Sequence, residues 1–449
     1  MKVLLISANR LREPYPVYPV GLDYVAAAIN GSHEVKTIDL NTLSGNGELV
    51  NLVKAFAPRV TGISLRNIDN TDTTDPHGFM GEYVDLVRIL REHSNAEIVL
   101  GGSGFTIFPA RILDLLGADY GIIGEGERLH FLLEALEAGQ DPATVPGIIT
   151  PAKQETSPAP WEHPFTRDAV TNRPYLDYYL KNGGMLNLQT KRGCPFRCIY
   201  CTYPAIEGRR MRLIPPEEIA RTAVSLQKAG ARYLFITDSS FNADIKHSLA
   251  VASSFKKAAL SIPWGAFFTP MEPPAGYYRE LAAAGLTHVE FGTDALSDAT
   301  LKVYGKPFDA AQVFSAHNQA VAAGLHVAHY FLLGGPGETP DTLEETLTNI
   351  GTLKKSVLFI FCGMRIYPGT PLFKQSESEG LIDDSIELLD PVFYSSPEIS
   401  RQHILDRIRK KGAQQVNWII GAGGEETFDI VSRMHQKGYS GPLWEHLIR

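Results

Sequence analysis

Three of the chain's four cysteines, Cys194, Cys198 and Cys201, fall within one short stretch, LNLQTKRGCPFRCIYCTYP over residues 186–204. The spacing C-x3-C-x2-C lets three soft thiolates face a common centre, and soft sulfur selects zinc, copper(I) or an iron–sulfur cluster. Structural zinc calls for a fourth ligand nearby. None is near in sequence: no His lies between His163 and His247, and Cys362 is far along the chain. A cubane held by three thiolates keeps one iron open for a ligand. A zinc knuckle is the plainer alternative, and both readings assign metal ligation to Cys194, Cys198 and Cys201.

At 449 residues the chain is long enough for two or three domains with full cores. Its net charge of -8 and the lack of a basic tract beyond RIRKK (407–411), which reads as a solvated helix face, argue against a nucleic-acid partner. MKVLLISANR has too short an apolar core for a signal peptide, and no run approaches the ~18 apolar residues of a membrane span. Few cysteines, mostly clustered, fit a reducing compartment, so a cytoplasmic location is expected.

Residues 1–150 alternate β-rich runs (3–6, 35–38, 60–64, 98–100 and 120–123) with helical stretches, predicting a doubly wound parallel sheet. Ligands of such sheets gather at the carboxyl ends of the strands. Those ends carry Ser7 and Asn9, Ser64 and Arg66, Gly101, Gly102, Ser103 and Gly104, and Gly124, Glu125 and Gly126. Small residues there let a large ligand approach the backbone, although any one glycine alone reads equally as a strand-to-helix turn. A proline-rich linker is predicted over 151–184, with Trp161, Tyr175, Tyr178 and Tyr179 packing at the domain junction.

Over 185–378 the alternation resumes, with strands expected at 186–189, 233–237, 264–268, 288–292, 327–333 and 358–366. Six βα units predict an open, partial (β/α)6 barrel with functional groups at the carboxyl ends. Asp238 in FITDSSF reads either as a carboxylate pointing into the barrel mouth or as a helix cap. Gly334, Gly335 and Gly337 in FLLGGPGETP let backbone approach a flat ligand, and no Lys follows at a phosphate-loop position. Arg365 and Cys362 lie three apart, so a regular strand places them on opposite faces. With Arg365 toward the cavity, Cys362 packs outward; a bulge at Gly363 would reverse this and present the thiol. His326 and His329 read as core histidines before acids, bases or metal ligands. Residues 379–449 are expected to form a small helical cap from ISRQHILDRIRKK and ETFDIVSRMHQKG joined by the loop IIGAGG, with Phe393, Tyr394 and Trp418 in its core or on an apolar pocket.

The cysteine motif, with Tyr200 directly before the last cysteine, resembles the radical S-adenosylmethionine (SAM) superfamily. YPVGLDYVAAAI, VTGISLRN, IVLGGSG, ADYGIIGEGE and VPGIIT together resemble the cobalamin-binding domain that precedes the barrel in one subfamily. The resemblance spans about residues 1–375. It implies a flavodoxin-like, cobalamin-binding first domain, a [4Fe-4S] cluster whose open iron binds SAM, and a 5'-deoxyadenosyl radical. It further implies that Cys194, Cys198, Cys201 and Arg365 serve catalysis. Tyr200, Asp238, Asp294, Gly334 and Gly335 would contact SAM. Ser7, Asn9, Ser64, Arg66, Gly101, Gly102, Ser103, Gly124 and Glu125 would hold the corrinoid. Two departures stand out. SANRLREPYPVYPVG lacks the Asp-x-His-x-x-Gly of many cobalamin proteins, so no protein His is expected below cobalt. Gly292, Thr293, Asp294 and Ala295 replace a common Gly-x-Glu-Ser; Asp294 keeps an acceptor for ribose hydroxyls, but Ala295 cannot donate as Ser does. The reaction implied is methylation of an unactivated carbon on a small-molecule or lipid-like substrate, fed by an electron donor such as flavodoxin or ferredoxin. The alternatives are cobalamin-dependent radical cyclisation, ring contraction or rearrangement, and a non-catalytic corrinoid-binding protein.

Overall fold

The computed structural model describes residues 1–448 apart from 13, 157, 159, 168–172, 384, 422 and 423. The first sheet contains β1 (Lys2–Ser7), β2 (Glu34–Asp39), β3 (Val60–Ser64), β4 (Glu97–Gly101) and β5 (Tyr120–Ile122) in parallel, with β6 (Ile148–Ile149) antiparallel at its edge. The order is β2-β1-β3-β4-β5-β6. After β1 the chain pairs β2 on one side and β3 on the other, which opens a crevice at their carboxyl ends. Helices cover both faces, so β1 is buried on both sides and reads as a continuous apolar run rather than an alternating one. Leu4 and Ile6 of β1 face one core and Val3 and Leu5 the other. Each such side chain contributes about 1.5–3 kcal/mol on burial.

The second sheet begins with β7 (Met185–Leu188). A ribbon of β8 (Lys191–Arg192) and β9 (Arg212–Leu213) then brackets the cysteine loop, pairing Arg192 with Arg212. There follow β10 (Tyr233–Ile236), β11 (Trp264–Phe268), β12 (Leu286–Asp294), β13 (His326–Leu333) and β14 (Ser356–Cys362). All are parallel and adjacent in chain order, as in an open βα barrel.

The tail differs from the expected helical cap. Its two helices are present at Arg401–Gly412 and Gly424–Gln436, but the stretch between them supplies β17 (Trp418–Ile420), a seventh parallel strand beside β14. Ala422 and Gly423 of the expected loop lie outside the described residues. Three residues are too few to show a period of two, and this strand exists only because β14 offers it an edge. Upstream, β15 (Met364–Arg365) pairs antiparallel with β16 (Phe393–Tyr394). Phe393 and Tyr394 therefore serve the fold as a strand, and Trp418 packs on the outer core. Farther on, Trp444 closes the amino-terminal end of the barrel: its Nε1 donates to Glu290 Oε1 at 3.0 Å, while Tyr330 Oη donates to Glu290 Oε2 at 2.8 Å. Tyr175 and Tyr179 are buried against Tyr18, and Tyr179 Oη donates to Asp39 Oδ2 at 2.8 Å, so the linker aromatics join the two sheets.

Arg365 follows a left-handed Gly363 (φ 84°) and turns toward the first sheet. Its Nε donates to Asp69 Oδ2 at 2.8 Å, and its other nitrogens reach the carbonyls of Ile366, Val392 and Leu388. Both members of the pair are nearly inaccessible. Cys362 packs in the outer core, and burial pushes its thiol up to about 12.

His329, on the helix-facing side of β13, joins a buried hydrogen-bonded chain. His317 Nε2 lies 3.0 Å from the Lys354 carbonyl, His317 Nδ1 lies 3.1 Å from His329 Nε2, and His329 Nδ1 lies 2.7 Å from Thr293 Oγ1. A carbonyl only accepts, so His317 carries its proton on Nε2. His317 Nδ1 then accepts from His329 Nε2, and His329 Nδ1 accepts the Thr293 hydroxyl proton. Both rings are neutral, and burial holds both below the usual imidazole range, His329 well below it.

Two outcomes are expected. Asp69→Ala strands the buried Arg365 guanidinium and costs about 3–5 kcal/mol, read as a lowered midpoint of thermal or urea unfolding. Because the unfolded chain protonates His317 and His329 near pH ~6.5 while the folded chain resists, their contribution is full above ~6.5 and lost as pH falls below it. The unfolding midpoint therefore drops on acidification from pH ~7 to ~5, and His329→Gln flattens that drop.

Candidate cofactor and radical site

A cavity of about 660 Å³ lies where the carboxyl ends of the first sheet face the mouth of the second. Ser7, Asn9, Ser64, Arg66, Gly101, Gly102, Ser103, Gly124 and Glu125 all line it. From the other side come Gln189, Arg192, Thr202, Tyr203, Glu207, Thr237 and Phe267. Tyr203 and Phe267 leave 37% and 38% of their surfaces uncovered, a large aromatic exposure for residues at a domain junction. Asn9 Oδ1 is buried with no hydrogen-bond partner. No histidine is among the lining residues. An unpaired acceptor, two uncovered rings and glycine at the strand ends fit a large, flat, amide-rimmed ligand.

The strand-end glycines do different work. A Cβ at Gly101 would have nothing closer than 3.9 Å, so its smallness leaves space in the cavity wall. Gly102 has φ 100°, and a Cβ there would stand 2.7 Å from the Leu65 carbonyl oxygen; it is glycine for the fold.

Glu125 lines the cavity and also ties the two sheets together. It accepts from Arg192 Nη1 at 2.8 Å, from Arg212 Nη1 at 2.6 Å and from the Trp161 amide, while Arg192 Nη2 donates to Glu127. Burial raises the Glu125 carboxyl, but Arg212 and Arg192 outweigh it and hold the group below the usual range. Both arginines sit on the ribbon that brackets the cysteine loop, so this cluster fixes the cavity against that loop.

The loop itself is held by backbone. Cys194 N donates to Gly208 O at 3.1 Å, Cys201 N to Cys198 O at 3.2 Å and Ile199 N to Tyr304 O at 3.1 Å. Gly193 has φ 89°, and a Cβ there would meet the Arg210 carbonyl oxygen at 2.2 Å. Cys194 is buried, and Cys198 and Cys201 are partly so; all three are free thiols. Burial raises the thiols of Cys198 and Cys201, and the neighbouring cysteines add to it: Cys194 at Cys198, and Cys198 and Cys194 at Cys201. Among the described residues no three His, Cys, Asp or Glu side chains, the three thiols included, form a ready metal shell. Three free thiols on one short loop, in the C-x3-C-x2-C spacing, fit a cluster with one open iron.

The residues expected around SAM are largely engaged with the protein. Asp238 is buried and accepts from the Thr190 amide at 2.8 Å and from the Thr190 hydroxyl, which makes it the anchor of the strand entering the cysteine loop rather than a free acceptor. Burial raises its carboxyl, with Lys191 opposing. Asp294 Oδ2 accepts from Tyr200 Oη at 2.6 Å and Lys306 Nζ at 2.7 Å. At Gly335 a Cβ would fall 2.5 Å from Tyr304 Oη and 2.7 Å from Met364 Cε, so packing calls for glycine there, and at Gly334 a left-handed φ of 87° does. Glu338 locks this turn by accepting from the Gly334 amide, and burial pushes its carboxyl up to about 7. Arg365 lies outside the cavity lining, committed to Asp69. Sequence reading missed Arg192, Arg212 and Lys306; their only signal was proximity in sequence to a motif, which does not reveal a partner.

Two family models match the chain: the B12 binding domain over residues 7–130 and the radical SAM superfamily over residues 188–350. Tryptophan 2-C-methyltransferase of Streptomyces laurentii is 25% identical over 446 residues, covering 83% of this chain and 74% of its own. Cytidylyl-2-hydroxyethylphosphonate methyltransferase of Streptomyces wedmorensis is 25% identical over 414 residues, covering 77% and 75%. The radical SAM methyltransferase TsrM of Kitasatospora setae, solved with cobalamin and a [4Fe-4S] cluster bound, superposes with a TM-score of 0.85 at 21% identity over 99% of this chain and 97% of that one. With the two domain signatures on one chain and the cavity between them, this chain belongs to the B12-binding radical SAM enzymes, as a methyltransferase using a [4Fe-4S] cluster, SAM and cobalamin.

Proposed function

We propose that the chain methylates a carbon of a small-molecule substrate held where the 660 Å³ cavity opens into the barrel mouth. The observation that carries this reading is the shared lining: strand ends of the first sheet and residues just beyond Cys201 border one space. When bound, the cluster and SAM supply radical chemistry, and the corrinoid supplies the methyl group. The chain's own part is alignment. Glu125, Arg192 and Arg212 hold one wall against the other, Asp238 fixes the strand that delivers the cysteine loop, and Arg66 brings a half-buried cation to the corrinoid side. Tyr203 and Phe267 offer apolar faces that displace water from the junction, a condition for confining reactive intermediates. Two relatives are named for methylating tryptophan and a cytidylyl phosphonate; this supports methyl transfer across chemically distinct small molecules. Among the described residues no helix is long and apolar enough to cross a membrane.

The product is expected to be heavier than the substrate by one methylene, with the added carbon labelled from methyl-labelled SAM. Unchanged product mass would overturn methyl transfer. Alanine at Cys194, Cys198 or Cys201 should remove the iron and all turnover. Gly101→Leu projects into the cavity wall and should weaken cobalamin binding at least tenfold, about 1.4 kcal/mol, with iron content retained; loss of iron first would contradict the assignment of the two walls.

A further inference from the structure

Lys306 is a buried cation beside the cysteine loop that the alignment above does not use. Its side chain is 6% exposed, and Nζ donates to Asp294 Oδ2 at 2.7 Å. The same oxygen accepts from Tyr200 Oη at 2.6 Å, and Tyr200 precedes Cys201. The ammonium lies 5.8 Å from the Tyr200 ring centre and 5.5 Å from that of Phe308. The segment bearing Lys306 is fastened to the loop at two points. Tyr304 O accepts from Ile199 N, and Gly305 (φ 69°) approaches Arg197 so closely that a Cβ would stand 2.6 Å from its carbonyl oxygen. Lysine and cysteine loop therefore move as one unit.

Asp294 is held with equal firmness. Its φ of 65° is rare for a residue with a side chain, and the pairing of β12 with β13 slips between Gly292 and Asp294. Such backbone is unfavourable and persists where surroundings over-determine it. Here the neighbour Thr293 is pinned by the His329–His317 chain, which turns the Asp294 carboxylate to Lys306. A buried ion pair is no net gain in stability over well-packed apolar side chains. The ammonium stands over the ring of Tyr200, which lies between Cys198 and Cys201, so a fixed positive charge sits against the cysteine loop.

On the cluster assignment above, we propose that Lys306, oriented by Asp294, sets the reduction potential of the cluster by stabilising the electron it accepts. One electron arrives from a low-potential donor of the flavodoxin or ferredoxin class. The cluster gains one negative charge, no bond forms or breaks, and the ammonium keeps its proton. Lys306 thus acts as a positioning charge, and Asp294 and Tyr200 keep it in place.

The test is a reductive titration of the reconstituted protein with dithionite and redox mediators, followed by the electron paramagnetic resonance signal of the reduced cluster, with iron and sulfide measured on the same samples. The double variant Lys306→Met with Asp294→Asn removes both charges and leaves no stranded carboxylate. Its midpoint should fall by at least a tenfold change in the reduction equilibrium, 59 mV for one electron, with iron content unchanged. Lys306→Gln, which retains a donor to Asp294, is the second variant if the first does not assemble, and it should shift the same way. Lys306→Arg should stay near the wild-type midpoint. A full complement of iron with an unshifted midpoint in the charge-removing variant would overturn the proposal alone. Wild-type protein that takes up no cluster would overturn it together with the assignment of the cysteines.

Discussion

The arrangement depends on a buried meeting of charges: Glu125 and Glu127 from the first sheet with Arg192 and Arg212 from the ribbon beside the cysteines. Planar guanidinium forks suit this task, since each satisfies two acceptors in fixed directions, which a lysine cannot do. Desolvating four charged groups costs several kcal/mol per ion, and mutual attraction only offsets it when the geometry is good. What the cluster secures is register. Two sheets that fold on separate cores are held so that the strand ends of one face the reactive loop of the other, and effective proximity of bound groups is a large contribution a scaffold makes to such chemistry.

The positions expected to hold SAM illustrate a second point. Asp238, at a barrel strand end, accepts from the amide and hydroxyl of Thr190 just ahead of the cysteine loop, and nearby Glu207 accepts from the Gly193 amide within it. A loop that presents three thiols has few regular hydrogen bonds of its own, and buried amides without partners are costly. The carboxylates supply those partners. Their placement at the mouth of the barrel therefore follows first from the loop's need for acceptors.

Much of this was legible in the sequence because it is local. Short β-rich runs located β1, β3 and β10 to within a residue or two, and the thiol spacing marked the reactive loop without any knowledge of the fold. The nine strand-end residues from Ser7 to Glu125 share a cavity because one topological rule places strand ends together. What stayed hidden is nonlocal. Three residues around Ile419 become a strand only beside β14, and Arg365 is drawn away from the cavity by Asp69, which is 296 residues earlier. Gly335 reads as a ligand's backbone rest until Tyr304 is seen to occupy that space. A glycine announces close approach but does not say of what.

The seal at the base of the barrel bears on how the chain is made. Glu290 stands in the middle of the second sheet, yet the indole that satisfies Oε1 comes 154 residues later, at Trp444. During synthesis the central strands emerge with that carboxylate oxygen unpaired, and β14 waits for β17 to cover its edge. The first sheet completes its strand pairing before residue 150, although Asp69 waits for Arg365 and Glu125 for Arg192 and Arg212. Emergence from the ribosome thus runs from a half that can settle early to a half that closes late. In the interval the nascent barrel presents a charged interior and an open strand edge to chaperones and to other nascent chains.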